Sequence, residues 1–168
     1  MPELTVGITG ATGFVGGRLA ERLVLAGPDA FSVVAAVRRY SGAGLARLAR
    51  LPVRLELAGL LDAAALARAF ADCDVIVHCA YGTGGPMEER RRVTVEGTRN
   101  VLRAAEAAGG SRVIHLSTAA VHRTDGDGAV DEASPFVSGG SFYEEMKIEA
   151  EEAVWEAHRE RGLPAVVL

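Results

Sequence analysis

The chain of 168 residues is predicted to form an α/β fold, a doubly wound parallel sheet with helices on both faces. Two observations predict it. Short β-rich runs alternate with helical patterns from one end of the chain to the other, which is the rhythm of βαβ units joined by right-handed crossovers. The central runs are also nearly continuous in Val, Ile and Leu, as expected of strands that are covered on both faces.

Six strands are predicted from these β-rich runs, because β-branched and apolar residues favour a pleated, buried surface. The first four are separated by helical patterns or by turns, and the last run ends the chain. The predicted strands are Leu4–Thr9, Phe31–Val37, Val53–Leu57, Val75–Cys79, Arg112–Ser117 and Ala165–Leu168.

Four helices are predicted between the strands. The first has apolar residues at three- and four-residue spacing and stops at Gly27, the second is capped by Asp62, and the last two end before glycine. The segment from His122 to Ser141 has no periodicity, and loops of this length inside a domain are usually functional or mobile. The predicted helices are Val15–Ala26, Ala63–Ala71, Val93–Ala108 and Phe142–Arg161.

Composition excludes several classes of function. The net charge is −4 with both signs mixed, so no nucleic-acid partner is expected. No basic and apolar leader opens the chain, and no apolar run approaches the length of a membrane span. Cys73 and Cys79 have no metal-ligand spacing and are expected to be small core residues in a reducing cytoplasm. The sequence Asp125–Gly128 lacks the later ligands of a calcium loop, so no metal site is predicted.

A glycine-rich loop follows the first strand and opens the first helix. Gly10 permits a tight turn, Gly13 lets the backbone approach a pyrophosphate, and Gly16 lets helix and strand pack closely. Free N–H groups at the start of the helix then face the phosphates. A Rossmann-like dinucleotide site is therefore predicted, with a purely structural turn as the alternative. Its expected cofactor contacts are Gly10, Thr12, Gly13, Phe14, Val15 and Gly16.

The end of the second strand indicates which dinucleotide is bound. A carboxylate at this point would bind the ribose 2′-hydroxyl of NAD, whereas arginine accommodates the 2′-phosphate of NADP. The strand ends in Arg38 and Arg39 with no acid nearby, so NADP is predicted as the cofactor and NAD is the second choice. The alternative is that both arginines are simply solvated at a strand end.

Lys147 is the only lysine of the chain, and it follows Tyr143 by four residues on the last predicted helix. Tyrosine is a poor acid–base group at neutral pH unless a charge stabilises its phenolate. A lysine one helical turn away lies on the same face and supplies that charge. A hydroxyl of Thr118 or Ser117, at the end of the fifth strand, could hold a substrate oxygen. A surface Tyr–Lys pair is the alternative.

The chain resembles the extended short-chain dehydrogenase/reductase family, the NAD(P)-dependent epimerase/dehydratase group. The resemblance covers essentially all residues and implies that Tyr143 is the catalytic acid–base, that Lys147 lowers its pKa and binds the nicotinamide ribose, and that Thr118 fills the catalytic Ser/Thr position. Leu60, Cys79, Ala80 and Tyr81 complete the expected cofactor contacts. The motifs that carry the resemblance are Thr9–Gly16, Asp74–Ala80, Val95–Leu102, Leu116–Val121 and Tyr143–Lys147.

Three positions depart from the family pattern. Gly59 stands where an aspartate usually meets the adenine amine, Thr94 stands where asparagine is usual, and His122 replaces a common tyrosine. His122 is expected to be a satisfied loop histidine rather than a substrate contact. Family members also commonly dimerise through two helices, which here are residues 93–108 and 142–161, so a homodimer is expected.

The chain stops inside the predicted sixth strand, whereas family members continue into a substrate-binding domain. We therefore interpret residues 1–168 as a dinucleotide-binding domain whose C-terminal substrate domain is absent from this chain; a genuinely short protein is the alternative. The leading hypothesis is an NADP(H)-preferring oxidoreductase that acts on a nucleotide sugar as an epimerase or dehydratase. The alternatives are a ketoreductase of another small carbonyl substrate, steroid-like or flavonoid-like, and a non-catalytic NADP(H)-binding module.

Overall fold

The computed structural model describes residues 4–27, 29–122, 129–137 and 139–168. Over these residues the chain forms six strands, five α-helices and one 3-10 helix at Ala119–Val121. The strands are β1 (Leu4–Thr9), β2 (Phe31–Val37), β3 (Arg54–Leu57), β4 (Val75–His78), β5 (Arg112–His115) and β6 (Ala165–Val167). The helices are α1 (Phe14–Leu25), α2 (Ala43–Leu48), α3 (Ala63–Ala69), α4 (Met87–Ala107) and α5 (Phe142–Arg161).

The strands form one parallel sheet in the order β3-β2-β1-β4-β5-β6. The chain moves outward from β1 to β3, returns to β4 beside β1, and then moves outward to β6. This order confirms the predicted doubly wound fold. The strand order reverses between β1 and β4, and ligands of such sheets bind in the crevice outside the carboxyl ends of these strands. The register aligns Ala36, Thr9, His78 and His115 in one row across that edge.

Two apolar cores cover the opposite faces of the sheet, because successive residues of a strand point to opposite sides. In β2, Val34 and Ala36 belong to the cluster that contains Leu102 of α4 and Val154 of α5. Val33 and Ala35, together with Val37, belong to the other cluster, which includes Ala20 of α1 and Leu48 of α2. Burial on both faces explains why the central strands read as continuous apolar runs.

Some predicted boundaries are wrong. Helix α4 begins at Met87 rather than Val93, and the helix α2 was not predicted. The first turns of α4 are exposed, so they lack the apolar spacing that revealed the rest, and Glu88 and Glu89 stabilise them through the helix dipole. The predicted strands that end at Cys79 and Ser117 stop one and two residues earlier in the structure. Asp62 does cap α3, as predicted, by accepting a hydrogen bond from Ala65 N at 2.9 Å.

A buried histidine ties the carboxyl end of β4 to its neighbours. His78 Nδ1 lies 2.7 Å from Thr9 Oγ1, and its Nε2 lies 3.0 Å from Thr98 Oγ1. The Thr98 hydroxyl donates to the carbonyl of Thr94, so His78 Nε2 must donate to Thr98 and Nδ1 must accept from Thr9. Thr9 Oγ1 in turn accepts from the Ala80 amide at 3.3 Å. The network therefore holds the start of the loop after β4 against β1 and α4.

His115, the neighbour of His78 in the sheet, is buried without such a network. The two rings lie 5.3 Å apart, and neither nitrogen of His115 has a hydrogen-bond partner among the described residues. Burial, assisted by the nearby charge of Lys147, lowers the pKa of His115 to about 3. Burial also holds the pKa of His78 well below its usual range. Both imidazoles are therefore neutral at neutral pH.

We expect acid to destabilise the fold through these histidines. The pKa of His115 is 6.5 in its ordinary state and about 3 in the fold, so between these values the unfolded chain binds more protons and stability falls as the pH falls. Each histidine that binds a proton only in the unfolded chain lowers the free energy of unfolding by up to about 1.4 kcal/mol for each pH unit of acidification. His115→Phe should reduce this loss and should raise the free energy of unfolding at neutral pH by about 1 kcal/mol, because it removes unpaired buried polar atoms.

Urea unfolding at neutral and mildly acidic pH measures both effects. The same loss of stability on acidification in His115→Phe and wild type would contradict the assignment.

Candidate active site

A cleft of about 910 Å³ lies at the carboxyl edge of the sheet. Its walls come from the β1–α1 loop, from the ends of β2 to β5 and from the first turns of α5. The structure brings thirteen of the predicted site residues to these walls. They are Gly10, Thr12, Gly13, Phe14, Val15, Gly16, Arg38, Leu60, Cys79, Ala80, Tyr81, Tyr143 and Lys147. The predicted residues Arg39 and Thr118 are not among the lining residues.

The glycine loop forms one end of the cleft by folding tightly on itself. Gly10 has a φ of +70°, and a Cβ there would lie 2.9 Å from the Ala80 backbone nitrogen. A Cβ on Gly16 would lie only 2.6 Å from Gly10 O, and Gly13 N donates to the same oxygen at 2.9 Å. Helix α1 begins at Phe14, so its free amide groups open on the cleft. This backbone cradle fits the pyrophosphate of a dinucleotide.

Arg47 supports this loop from α2 and was not predicted. Its Nη2 donates to the carbonyl of Gly13 at 3.1 Å, and its Nε lies 3.6 Å from Glu21 Oε1 of α1. The guanidinium thus ties α2 to both the loop and α1. No sequence signal identifies it, because α2 itself has only one fully buried residue, Leu48.

Arg38 stands at the end of the cleft formed by β2 and β3. It lines the wall, and the described residues engage it in neither a hydrogen bond nor an ion pair. Gly59 leaves space beside it, since a Cβ at that position would approach Arg38 Cγ only to 3.9 Å. Asp62 also lines the cleft, but its carboxylate caps α3. The guanidinium of Arg38 is therefore available to an anionic group in the cleft.

Helix α5 presents Tyr143 and Lys147 to the opposite side of the cleft. Ser141 caps the helix by accepting a hydrogen bond from Glu144 N. The Tyr143 ring meets the Tyr81 ring edge-on at 5.9 Å between centroids. Lys147 is only 4% exposed, and its Nζ donates to the carbonyl of Leu116 at 2.5 Å. The ammonium is thus held at the end of β5, with Nζ 6.0 Å from the centroid of the Tyr81 ring.

Apart from the carboxylate of Glu151, the titratable groups of the core around Lys147 are uncharged at neutral pH. Burial lowers the pKa of Lys147, and the charge of Glu151 opposes that shift. The Cys79 thiol on the cleft wall has a pKa raised by burial, so it is uncharged at neutral pH. With His78 and His115 neutral as well, the lysine is the cation of this region.

The two hydroxyls after β5 have different surroundings. Thr118 Oγ1 accepts a hydrogen bond from Ala120 N at 3.3 Å and so caps the 3-10 helix. Ser117 lines the cleft, and its Oγ lies 2.5 Å from Glu151 Oε2. The hydroxyl on the cleft wall is therefore that of Ser117, whereas Thr118 serves the local turn.

The remaining departures from the family pattern are structural. Thr94 Oγ1 accepts from Gly82 N at 2.9 Å and donates to the carbonyl of Arg90 at 2.8 Å, so it holds the loop after β4 on α4. His122 stacks on Phe136 with 5.5 Å between ring centroids. Its ring Nδ1 lies 3.2 Å from the carbonyl oxygen of Pro135, which agrees with a satisfied loop histidine.

The sequence Asp125–Gly128 lies outside the described residues. Within the described ranges, no group of three or more His, Cys, Asp or Glu residues is arranged to hold a metal. No helix in those ranges is long and apolar enough to cross a membrane. Several cleft residues were not singled out as site residues from the sequence, although Thr9, Ala36 and Leu116 lie at or near the ends of predicted strands and Ala58 directly follows one. They are Thr9, Ala36, Ala58, Leu61, Gly82, Thr83, Gly84, Glu89, Val93 and Leu116.

Comparison with known proteins agrees with this geometry. The family described as the NAD dependent epimerase/dehydratase family matches residues 6–168. Cinnamoyl-CoA reductase 1 of Petunia hybrida is 32% identical over 172 residues, which cover 96% of this chain and 52% of the relative. The crystal structure of gox2253 is 34% identical with a TM-score of 0.84, covering 97% of this chain and 50% of that one.

A further solved structure, DesIV (dTDP-glucose 4,6-dehydratase) from Streptomyces venezuelae with NAD and TYD bound, is 29% identical with a TM-score of 0.81. It matches over 98% of this chain and 54% of its own. The chain thus spans about half the length of the relatives that it matches.

Proposed function

This chain belongs to the NAD dependent epimerase/dehydratase family, and from that premise we propose that it carries the cofactor site and the proton-transfer group of an NADP(H)-preferring carbonyl reductase. The observation that carries the proposal is the opening of Tyr143 and Lys147 onto the same cleft as the glycine loop. One cavity thus combines a phosphate cradle with an acid–base group, which is the combination that hydride transfer requires.

The chemistry follows from the positions of these groups. A nicotinamide dinucleotide, when bound, supplies the hydride that reduces a carbonyl carbon. Tyr143 donates its phenolic proton to the carbonyl oxygen, so that the carbonyl becomes an alcohol, and it recovers a proton from solvent. The Lys147 ammonium stabilises the phenolate that remains, because an opposite charge nearby favours the ionised form. Ser117, on the cleft wall, donates its proton to Glu151, so its oxygen is available to accept a hydrogen bond from the hydroxyl of the alcohol that forms.

Two substrate classes remain, and the relatives favour one of them. The Petunia relative is named a cinnamoyl-CoA reductase and is 32% identical over nearly the whole chain, which supports reduction of a small organic carbonyl compound. A nucleotide sugar, acted on by epimerisation or dehydration, is the second candidate, because the similar DesIV structure is that of a dTDP-glucose 4,6-dehydratase.

A reducing cytoplasm remains the proposed location, since Cys73 and Cys79 are free thiols.

Tyr143→Phe tests the acid–base role. Removing the phenolic proton should lower turnover at least ~100-fold, which is the contribution of a positioned acid–base group, while NADPH binding is kept. The measurement is the loss of NADPH absorbance with benzaldehyde as the carbonyl probe, together with calorimetry of NADPH binding. Tyr40→Phe, an exposed tyrosine outside the cleft, is the control. Unchanged turnover in Tyr143→Phe would refute the acid–base assignment, whereas NADPH binding without turnover in the wild type would leave a cofactor-binding module.

Arg38 and Arg39 provide a matched pair for the cofactor preference, because only Arg38 lines the cleft. Arg38→Ala should weaken NADPH binding about tenfold, since a hydrogen bond to a charged group contributes about 1.5–3 kcal/mol, and it should leave NADH binding nearly unchanged. Arg39→Ala should alter neither. Titration of the chain with each cofactor, followed by tryptophan fluorescence, gives the dissociation constants. Equal losses for NADPH and NADH would show that Arg38 does not read the 2′-phosphate.

A homodimer through α4 and α5 is proposed on the charges of their outer faces. On the outer face of α4 the exposed residues Arg92, Arg99 and Arg103 outnumber the one exposed acid of that stripe, Glu96. On α5 the exposed residues Glu152 and Glu156 are acidic. Two copies can thus pair α4 with the partner's α5. Sedimentation should give a dimer that dissociates as salt screens the charges, and Arg99→Glu should weaken it. A monomer at all concentrations would contradict the proposal.

A further inference from the structure

A buried carboxylate lies one helical turn beyond Lys147. Glu151 of α5 is 6% exposed. Its Oε2 lies 2.5 Å from Ser117 Oγ, and its Oε1 accepts from Trp155 Nε1 at 3.2 Å. Burying a carboxylate is costly unless its oxygens are hydrogen-bonded, and both oxygens are. The mechanism described above makes no use of this residue.

Successive turns of α5 hold successive residues at the end of β5. Lys147 Nζ donates to the carbonyl of Leu116, and Glu151 accepts from the hydroxyl of Ser117. Ser117 is also held through its backbone, because its N–H donates to Leu168 O at 2.6 Å. Since the Ser117 proton points to Glu151, the lone pairs of its oxygen are left to accept from a hydroxyl in the cleft, such as that of the alcohol formed by reduction. The orientation of this hydroxyl therefore depends on Glu151.

The charged groups around Lys147 are few. His78 in β4, Cys79 directly after it and His115 in β5 are neutral at neutral pH, because burial lowers the pKa of each histidine and raises that of the thiol. The centroid of the Tyr81 ring lies 6.0 Å from Lys147 Nζ, and Tyr143 lines the same cleft. Glu151 opposes the effect of burial and raises the pKa of Lys147.

We propose that Glu151 is a positioning residue of the reaction: its carboxylate orients the Ser117 hydroxyl in the cleft wall and is the counter-charge of Lys147. The proposal rests on the proposed function, because the Ser117 hydroxyl and the Lys147 ammonium need to be positioned by Glu151 only if a substrate oxygen is protonated in the cleft. Glu151 itself touches neither the cleft nor the reacting atoms, since it is not among the lining residues, and it acts through the two residues that do line it.

The first test measures Lys147 directly and needs no substrate. Lys147 is the only lysine of the chain, so isotope-labelled lysine gives one side-chain signal whose pH titration reports its pKa. In Glu151→Gln, which keeps the shape and an acceptor oxygen, the midpoint should move to lower pH by about half a unit or more, because the charge that stabilises the ammonium is gone. Glu152→Gln, an exposed neighbour, should leave the midpoint unchanged.

An unchanged Lys147 midpoint in folded Glu151→Gln would overturn the counter-charge role. Should that variant fail to fold, Glu151→Leu replaces the carboxylate with an apolar group of similar volume, an exchange that buried ionic sites often tolerate. The same downward movement of the midpoint is expected there, and its absence would overturn the role equally. Because this readout is independent of turnover, it remains decisive even if the wild type fails to reduce any carbonyl probe, a result that would refute the proposed function alone.

The second test examines Ser117 by a double-mutant cycle with NADPH and benzaldehyde. If Glu151 acts through Ser117, Glu151→Gln should lower kcat about tenfold in the wild type and less than about twofold in Ser117→Ala, since the effects of coupled residues are not additive. The alkaline limb of the kcat/KM profile should also move to lower pH in Glu151→Gln, because loss of the carboxylate lowers the pKa of Lys147. An equal loss of kcat from Glu151→Gln in the wild type and in Ser117→Ala would overturn the orienting role of Glu151.

Discussion

The hydrogen bond from Lys147 Nζ to the carbonyl of Leu116 joins helix α5 to the sheet edge, and the cleft depends on it. A cation that is 4% exposed and holds a backbone carbonyl cannot tolerate another positive charge nearby. The residues next to Lys147 in the sheet carry no positive charge at neutral pH. His78 and His115 are held neutral by burial, and the nearby carboxylate of Glu151 has the opposite sign. The groups around Lys147 are therefore matched to one buried cation.

The two ends of the cleft are built from different chemical groups. The end at the glycine loop is backbone: Gly10 and Gly16 allow contacts that no side chain would fit, and Arg47 supports the loop from outside. The end at α5 is side chain, with Tyr143 and Lys147 in the wall. A backbone cradle suits the phosphates that all dinucleotides share, whereas side chains suit a proton transfer that depends on pKa. The row formed by Ala36, Thr9, His78 and His115 runs across the sheet edge between these ends.

Several hydroxyl groups near the sheet edge hold neighbouring elements together through hydrogen bonds. Thr9 and Thr98 fix the tautomer of His78, and Thr94 takes the place of a family asparagine by holding Gly82 and Arg90. Thr118 caps a turn, so the neighbouring Ser117 is the hydroxyl in the cleft wall. Two adjacent hydroxyls in the sequence thus have separate roles because the chain turns between them.

Local patterns in the sequence determined the parallel sheet, the glycine loop and the Tyr143–Lys147 spacing, because each depends on residues within one strand, turn or helix. The tertiary structure alone decided what these elements meet. Arg47 reaches Gly13, Glu151 reaches Ser117, and Arg38 rather than Arg39 enters the cleft, and each of these outcomes depends on how separate elements pack. The start of α4 was missed for a related reason: its first turns are exposed and have no apolar periodicity. The spacing of apolar residues along a segment shows which of its faces is buried. It does not show which distant residue packs against that face.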